Sequence, residues 1–465
     1  MTTPLCQGDG PLYADPSANR AREFFRNKPR ALTDKLMSVR DAVARFVSDG
    51  DYLAVGGFGG DRFASAVCHE IVRQKKQNLT VAGHTATHDF QILCAGNLTG
   101  RGKLIARVDV AYVVGLEARG LSPHAARGVM TPPLCQGDGP LYADPSANCA
   151  REFFRNKPRA LTDKLMSVKD AVARFVSDGD YLAVGGFGGD RFGSAICHEI
   201  VRQKKQNLTL AGHTATHDFQ ILCSGNLTGR GKLIARVDVA YVVGLEARGL
   251  SPHARRVMES GEVESTEWSN YALAVRFKAA AMGLPFLPMR SMLGTDTFRQ
   301  SAAKEIACPF TGERLLAAPA VYPDVGVVHV HEADRFGNCR IRGTTVADPD
   351  LARASKKLIV TCERLIPGDT IRQDPTQTVI PFYCVDAVCE VPFGSYPGNM
   401  PYEYYSDEEH LRYWLDVERD PTEYLRFVEK YNFGVTDFAE YLQLCGGLPR
   451  LQKLRQEEFL LNRGR

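Results

Sequence analysis

Between residues 165 and 201 the apolar positions change their period twice. Leu165, Val168, Ala171, Val172, Phe175 and Val176 recur at helical spacing behind Ser167, whose hydroxyl suits an N-cap. The turn Asp178-Gly179-Asp180 then leads into Tyr181-Leu182-Ala183-Val184, an unbroken apolar run of strand length. Glycines follow, and a second helical pattern runs through Ile196, Ile200 and Val201. Strands are also expected at residues 208–211, 236–243, 325–331, 357–361 and 385–391, with helical stretches between several of them. Apolar strands alternating with amphipathic helices predict an α/β fold: an open, mostly parallel sheet with helices on both faces. Ligands on such sheets sit beyond the carboxyl ends of the strands. The tail over 407–444, rich in Tyr, Leu and Glu, reads as mainly helical and as packing across the sheet or a partner.

The pattern occurs twice. Laying Met1 on Met130 aligns 129 residues with the next 129 at a constant offset, with Cys6 on Cys135, Cys68 on Cys197 and Cys94 on Cys223. Up to the last two positions the copies differ only at Thr3/Pro132, Arg20/Cys149, Arg40/Lys169, Ala64/Gly193, Val67/Ile196, Val81/Leu210, Ala95/Ser224 and Ala126/Arg255. A unit this long, repeated once, is a tandem duplication and no solenoid. Only the second copy runs on into new sequence after Met258, so residues 130–465 read as the complete unit and residues 1–129 as a truncated duplicate of its N-terminal part. The duplicate carries a glycine loop, Gly56 to Gly60, and the first strands, but lacks the later ones, which predicts an unpaired sheet edge. No long Gly/Ser/Pro linker marks a further domain.

Composition narrows the function classes. Fifty-seven basic against 54 acidic side chains leave a net charge of +3, without the one-signed field a nucleic-acid binder needs. The first residues show no basic and apolar leader, and no apolar run approaches the ~20 residues of a spanning helix. Thirteen scattered cysteines without a Cys-x-x-Cys pair read as reduced thiols. The expectation is a cytoplasmic protein with no membrane or nucleic-acid partner.

The stretch with the clearest chemistry is Val184-Gly185-Gly186-Phe187-Gly188-Gly189-Asp190-Arg191. Glycines between a strand and a helix let main-chain N–H groups approach a ligand, and the helix N-terminus adds partial positive charge. Such a loop suits an anion or a developing oxyanion; a tight strand-to-helix turn is the plainer alternative. No Gly-Lys-Ser/Thr follows it, and Arg191 stands where a dinucleotide fingerprint needs its third glycine. His213 and His217 are four apart, as metal ligands on a helix would be. The two threonines between them and their place after a strand favour a loop, with no metal.

The Asp-Gly-Asp turn, the apolar strand and Gly-Gly-Phe resemble the signature of the A subunit of the family I coenzyme A transferases, and the Asp190-Arg191 continuation is similar to the glutaconate CoA-transferase branch. The Gly-x-Pro ending of the general signature is missing. Ala281-Met282-Gly283-Leu284-Pro285-Phe286-Leu287-Pro288, Asp374-Pro375-Thr376, Val385-Asp386-Ala387-Val388 and Pro392-Phe393-Gly394-Ser395-Tyr396-Pro397 agree in order. The resemblance implies transfer of CoA between an acyl-CoA and a small carboxylic acid, a dicarboxylate or 3-oxo acid. CoA is then a substrate, and no cofactor is implied. It further implies a hetero-oligomer in which a glutamyl-CoA thioester forms on the partner, the CoA-transferase B subunit, in a Ser-Glu-Asn-Gly type stretch. This chain has none: Glu332, Glu390, Glu262, Glu264 and Glu267 lie in other contexts. By the same resemblance Gly185, Gly186, Phe187, Gly188 and Gly189 would stabilise the oxyanion, Arg191 would pair with a substrate carboxylate, His213 and Thr214 would border the acid site, and Phe393, Gly394 and Ser395 would form another wall. His329 and His331, alternating on a strand, read as half-buried sheet residues. Related hydrolysis or decarboxylation of an acyl-CoA, and non-catalytic CoA binding, are the competing expectations.

Overall fold

The computed structural model describes residues 16–17, 23, 26–28, 32–56, 64–83, 88–99, 103–110, 136–142, 144–146, 154–157, 160–228, 231–241 and 249–463. They fall into two compact units, residues 1–130 with 309–311, and residues 131–308 with 312–465. Among the described residues no helix is long and apolar enough to cross a membrane.

In the first unit three parallel strands, Tyr52–Val55, Leu79–Gly83 and Ile105–Val110, pair in that order. Val43, Cys68, Ile71, Leu79, Val81, Leu93, Leu104 and Ile105 make a small core of their own. Tyr52 is 42% exposed, whereas its counterpart in the second unit, Tyr181, is 5% exposed. Of the duplicate's glycine loop, positions 57–60 lie outside the described residues.

The second unit is built on a sheet ordered Ala387–Glu390, Lys357–Leu365, Val325–Ala333, Tyr181–Val184, Leu208–Gly212, Ile234–Val239, Glu264–Glu267. Every neighbouring pair along this path is parallel; the two-residue strand Cys339–Arg340 alone runs antiparallel, against Val325–Ala333. Alternation within Tyr181–Val184 divides two cores. Leu182 and Val184 join one with Val172, Ile196, Phe219 and the tail aromatics Trp414, Tyr424 and Phe427. Tyr181 and Ala183 join the other with Val328, Phe277, Ala280 and Leu351. Helices therefore cover both faces, as the pattern predicts. Burial of each such aliphatic side chain is worth roughly 1.5–3 kcal/mol.

Local chemistry sets the boundaries. Ser167 caps the helix Val168–Phe175 by accepting the Asp170 N–H. The helix Ser194–Arg202 then returns the chain from the glycine loop to the start of Leu208–Gly212. The strand predicted over 236–243 runs as Ile234–Val239, and residues 242 and 243 lie outside the described ones. The predicted helical tail is Glu408–Val417, Pro421–Val428, a π-turn Glu429–Phe433 and Phe438–Leu444, followed by Gly447–Arg463. One element was not expected: a three-stranded antiparallel sheet of Phe286–Met289, Arg314–Pro319 and Lys304–Ala307. Its strands are short and half-exposed, and prolines 288 and 319 lie within them, so neither period emerges.

Candidate functional site

Strand order reverses between Tyr181–Val184 and Val325–Ala333: later strands add to one side from Leu208–Gly212 onward, and to the other from Lys357–Leu365 onward. That is the topological switch point of the sheet, where the loops diverge and leave a crevice at the carboxyl ends. The glycine loop leaves Val184 at this place, with the Gly185 N–H bonded to the Val327 carbonyl at 2.8 Å.

The loop is held from three directions. The Gly186 N–H donates to Asp348 Oδ1 at 2.8 Å, at a backbone φ of +90° that suits glycine. Phe187 and Asp190 exchange both main-chain hydrogen bonds at 2.9 Å, closing a tight turn. Asn399 accepts from the Arg191 N–H at 3.0 Å and donates to the Gly189 carbonyl at 3.0 Å. Three of the five amides expected to face a ligand are thus spoken for. The N–H groups of Gly188 and Gly189 have no acceptor among the described residues, so of the five only these two are left to meet a ligand.

Arg191 differs from its expected role. It is 1% exposed, with one guanidinium nitrogen 2.5 Å from Asp348 Oδ2 and another donating to the Thr344 carbonyl at 2.7 Å. Its backbone stands at φ +54°, a left-handed conformation that costs a non-glycine residue about 1–3 kcal/mol and needs support from its surroundings. The guanidinium is committed to the loop's own scaffold and is not presented to a substrate carboxylate. Asp348, at the start of the helix Asp348–Ala354, therefore supports both the first amide of the turn and the cation at its far end.

His213 follows the neighbouring strand in a turn, its ring 5.4 Å from that of Phe187, with Nδ1 3.4 Å from the Thr214 hydroxyl. Burial lowers its pKa, while the nearby Asp348 carboxylate pulls the other way, so the ring is neutral at pH 7. His217 begins the next helix, its ring 5.9 Å from Phe192 and its Nδ1 2.8 Å from Gln220 Oε1. The two histidines do not share a helix face. Among the described residues no group of three or more His, Cys, Asp or Glu side chains could hold a metal ion.

The expected 393–395 segment is a turn after the strand Ala387–Glu390. Phe393 has φ +60°, and its N–H donates to Glu363 Oε2 at 2.8 Å. The Gly394 carbonyl accepts from the Ala195 N–H at 3.2 Å, joining this turn to the helix behind the glycine loop. A side chain at Gly394 would lie 2.7 Å from the His329 ring. The Ser395 N–H donates to Tyr404 Oη at 3.0 Å, and Tyr404 Oη reaches Glu363 Oε1 at 2.8 Å. The Ser395 hydroxyl is fully buried, without a hydrogen-bond partner among the described residues.

Glu363 also meets His329 Nε2 at 2.8 Å, and His329 Nδ1 meets the Thr361 hydroxyl at 2.8 Å. Burial pushes the Glu363 pKa up, but hydrogen bonds from His329, the Phe393 N–H and Tyr404 outweigh it and hold the carboxyl below its usual value. His329 and His331 are both fully buried rather than half-buried, and His331 Nε2 lies 2.8 Å from the Pro401 carbonyl. The structure brings together Gly185 to Gly189, His213, Thr214 and the 393–395 turn. Asp348, Glu363, Tyr404 and Asn399 join them without having been expected. Clefts of about 480 and 460 Å³ open instead near the amino ends of the strands, around Lys157, Arg353 and Tyr383 and around Asp180, Asp324 and Lys357.

Among the described residues this arrangement offers two main-chain donors without an acceptor, and a neutral imidazole, at a switch point. A family model described as coenzyme A transferase matches residues 36–108 and 165–391. The A subunit of glutaconate CoA-transferase from Acidaminococcus fermentans is 33% identical over 300 residues, covering 61% of this chain and 92% of that one. The A subunit of 3-oxoadipate CoA-transferase from Pseudomonas knackmussii is 34% identical over 282 residues, covering 60% and 96%. The crystal structure of glutaconate CoA-transferase from Acidaminococcus fermentans superposes with a TM-score of 0.59 at 32% identity, over 63% of this chain and 95% of that one.

Proposed function

The chain belongs to the coenzyme A transferase family, and on that premise we propose that it is the A subunit of an enzyme moving CoA between an acyl-CoA and a small carboxylic acid, a dicarboxylate or 3-oxo acid. The nucleophile is a glutamate of a partner chain, the B subunit. Its carboxylate attacks the thioester carbonyl, the CoA thiolate leaves a mixed anhydride, and the thiolate then attacks the glutamyl carbonyl, releasing the first acid. The second acid reverses these steps and departs as the new acyl-CoA.

One observation carries this reading: the Gly188 and Gly189 N–H groups stand at the switch point without an acceptor among the described residues, beside His213 through its contact with Phe187. Two such donors suit an oxygen that gains charge as the thioester is attacked, and losing one typically costs about 10²- to 10³-fold in rate. The buried carboxylates of the site are already committed, Asp348 to Arg191 and Gly186, Glu363 to His329, Tyr404 and Phe393. This supports an attacking carboxylate from another chain.

The test is co-expression with a candidate partner chain and a CoA-exchange assay over dicarboxylates and 3-oxo acids. The pair should exchange CoA, the isolated chain should not, and replacing the partner's glutamate should abolish transfer. Exchange by the isolated chain would refute the two-chain reading; thioester hydrolysis or decarboxylation without exchange would replace transfer with that reaction.

A further inference from the structure

The two copies of the repeat have the same backbone where their second helix begins. Ala64 precedes Ser65–Arg73 at φ −80° and ψ 59°, and Gly193 precedes Ser194–Arg202 at φ −78° and ψ 61°. Their surroundings differ. Ala64 is exposed and Gly193 is buried, because the strand Val325–Ala333 lies against the second copy. A Cβ at Gly193 would stand 2.5 Å from Val327 Cγ1, closer than any real contact. Val327 is itself fully buried, and its branched side chain on a central strand has little freedom to yield.

From this we infer that position 64/193 selects between the copies: Ala64 bars residues 1–129 from the seat against Val325–Ala333 that residues 130–258 occupy. The same backbone would drive the Ala64 methyl into the space of Val327. Two further differences act in the same direction. Ile196 and Leu210 are fully buried in the seated copy, where the first copy has the smaller Val67 and Val81. Overpacking at one position and missing methylenes at two others together favour the second copy by about a hundredfold or more.

The seat belongs to one unit, so the inference is independent of the proposed chemistry. It explains how two nearly identical segments avoid exchanging places. Among the described residues the Tyr52–Val55 strand is paired on one side only, with Leu79–Gly83, whereas Tyr181–Val184 is paired with both Leu208–Gly212 and Val325–Ala333.

The test uses the full-length chain and amide hydrogen exchange read by mass spectrometry. Peptides long enough to include residue 64 or 193 report the two strands separately. In the natural sequence residues 181–184 should be protected and residues 52–55 should exchange faster. In the exchanged variant Ala64→Gly/Gly193→Ala, the protected fraction of residues 52–55 should rise at least about tenfold and that of 181–184 should fall. Gly193→Ala alone could simply unfold the second copy, which is why the paired exchange decides the matter. If protection stays on 181–184 in the exchanged variant, or if neither strand is protected, position 64/193 is not the selector.

Discussion

Arg191 and Asp348, 157 residues apart in sequence, form a buried ion pair at 2.5 Å behind the glycine loop, and the same carboxylate holds the Gly186 N–H. Removing one charge of such a pair leaves the other buried without compensation, which typically costs about 3–5 kcal/mol, whereas removing both is often much milder. Asp348→Asn retains an acceptor for Gly186 but strands the guanidinium. It should lower the urea midpoint strongly, and adding Arg191→Met should recover much of the loss. Additive losses in that double-mutant cycle would mean that the two side chains act independently.

The oxyanion proposal is tested most directly at Gly189. Gly188 holds φ +60°, where any side chain adds strain, so its replacement would confuse geometry with donor loss. Gly189→Pro deletes one N–H, and Gly189→Ala keeps it as a control. Assayed together with the partner chain, the proline variant should lose about 10²- to 10³-fold in kcat relative to the alanine variant. Equal kcat values for the two would remove the Gly189 N–H from the mechanism.

Burial of neutral histidines gives the stability a definite pH dependence. Burial lowers the pKa of His198 to about 3 and of His253, His331 and His410 to about 4. Each binds a proton in the unfolded chain near pH 6.5 but not in the folded one until far lower pH. The stability they contribute is complete above about pH 6.5 and is lost as pH falls towards 4. Asp218, raised to about 7 by burial, and Glu418, also raised by burial, act oppositely, costing stability as pH rises from about 4. His213, lowered by burial, joins the four, and Asp180, raised by burial, joins the two, so five groups oppose three and the slope is positive. Between about pH 4.5 and 6.5 the unfolding free energy should rise with pH, at about 1.4 kcal/mol per pH unit for each net proton. A denaturant midpoint that falls with pH across this window would contradict the balance.

What was legible in the sequence follows from what is local. The Ser167 cap, the Tyr181–Val184 strand and the glycine turn depend on neighbours within a few residues, and the pattern located them. The two periods also predicted the parallel sheet, because a strand buried on both faces must be apolar throughout. Asp348 was not legible: in Ala347-Asp348-Pro349-Asp350 it reads as an ordinary helix start, and only the fold supplies Arg191 and the Gly186 N–H. For the same reason Arg191 looked available to a ligand. A sequence shows a charge but not the opposite charge that a distant loop brings against it. Glu363 and Tyr404 were hidden likewise, one within a strand and the other in a loop beyond it.

Tyr404 should matter more than its neighbour Ser395, although both are fully buried beside the same turn. The Tyr404 hydroxyl donates to Glu363 Oε1 at 2.8 Å and accepts the Ser395 N–H at 3.0 Å. Tyr404→Phe leaves that N–H unsatisfied and takes one donor from a buried carboxylate, which should cost about 1–3 kcal/mol. It should also raise the pKa of Glu363, since Tyr404 is among the groups that hold it down against burial. The Ser395 hydroxyl has no hydrogen-bond partner among the described residues, so Ser395→Ala forfeits no bond and should change stability by no more than about 0.5 kcal/mol. Chemical denaturation of both variants checks the contrast. A larger loss for Ser395→Ala than for Tyr404→Phe would show that the turn is held by the serine hydroxyl and not by the bridge from Glu363.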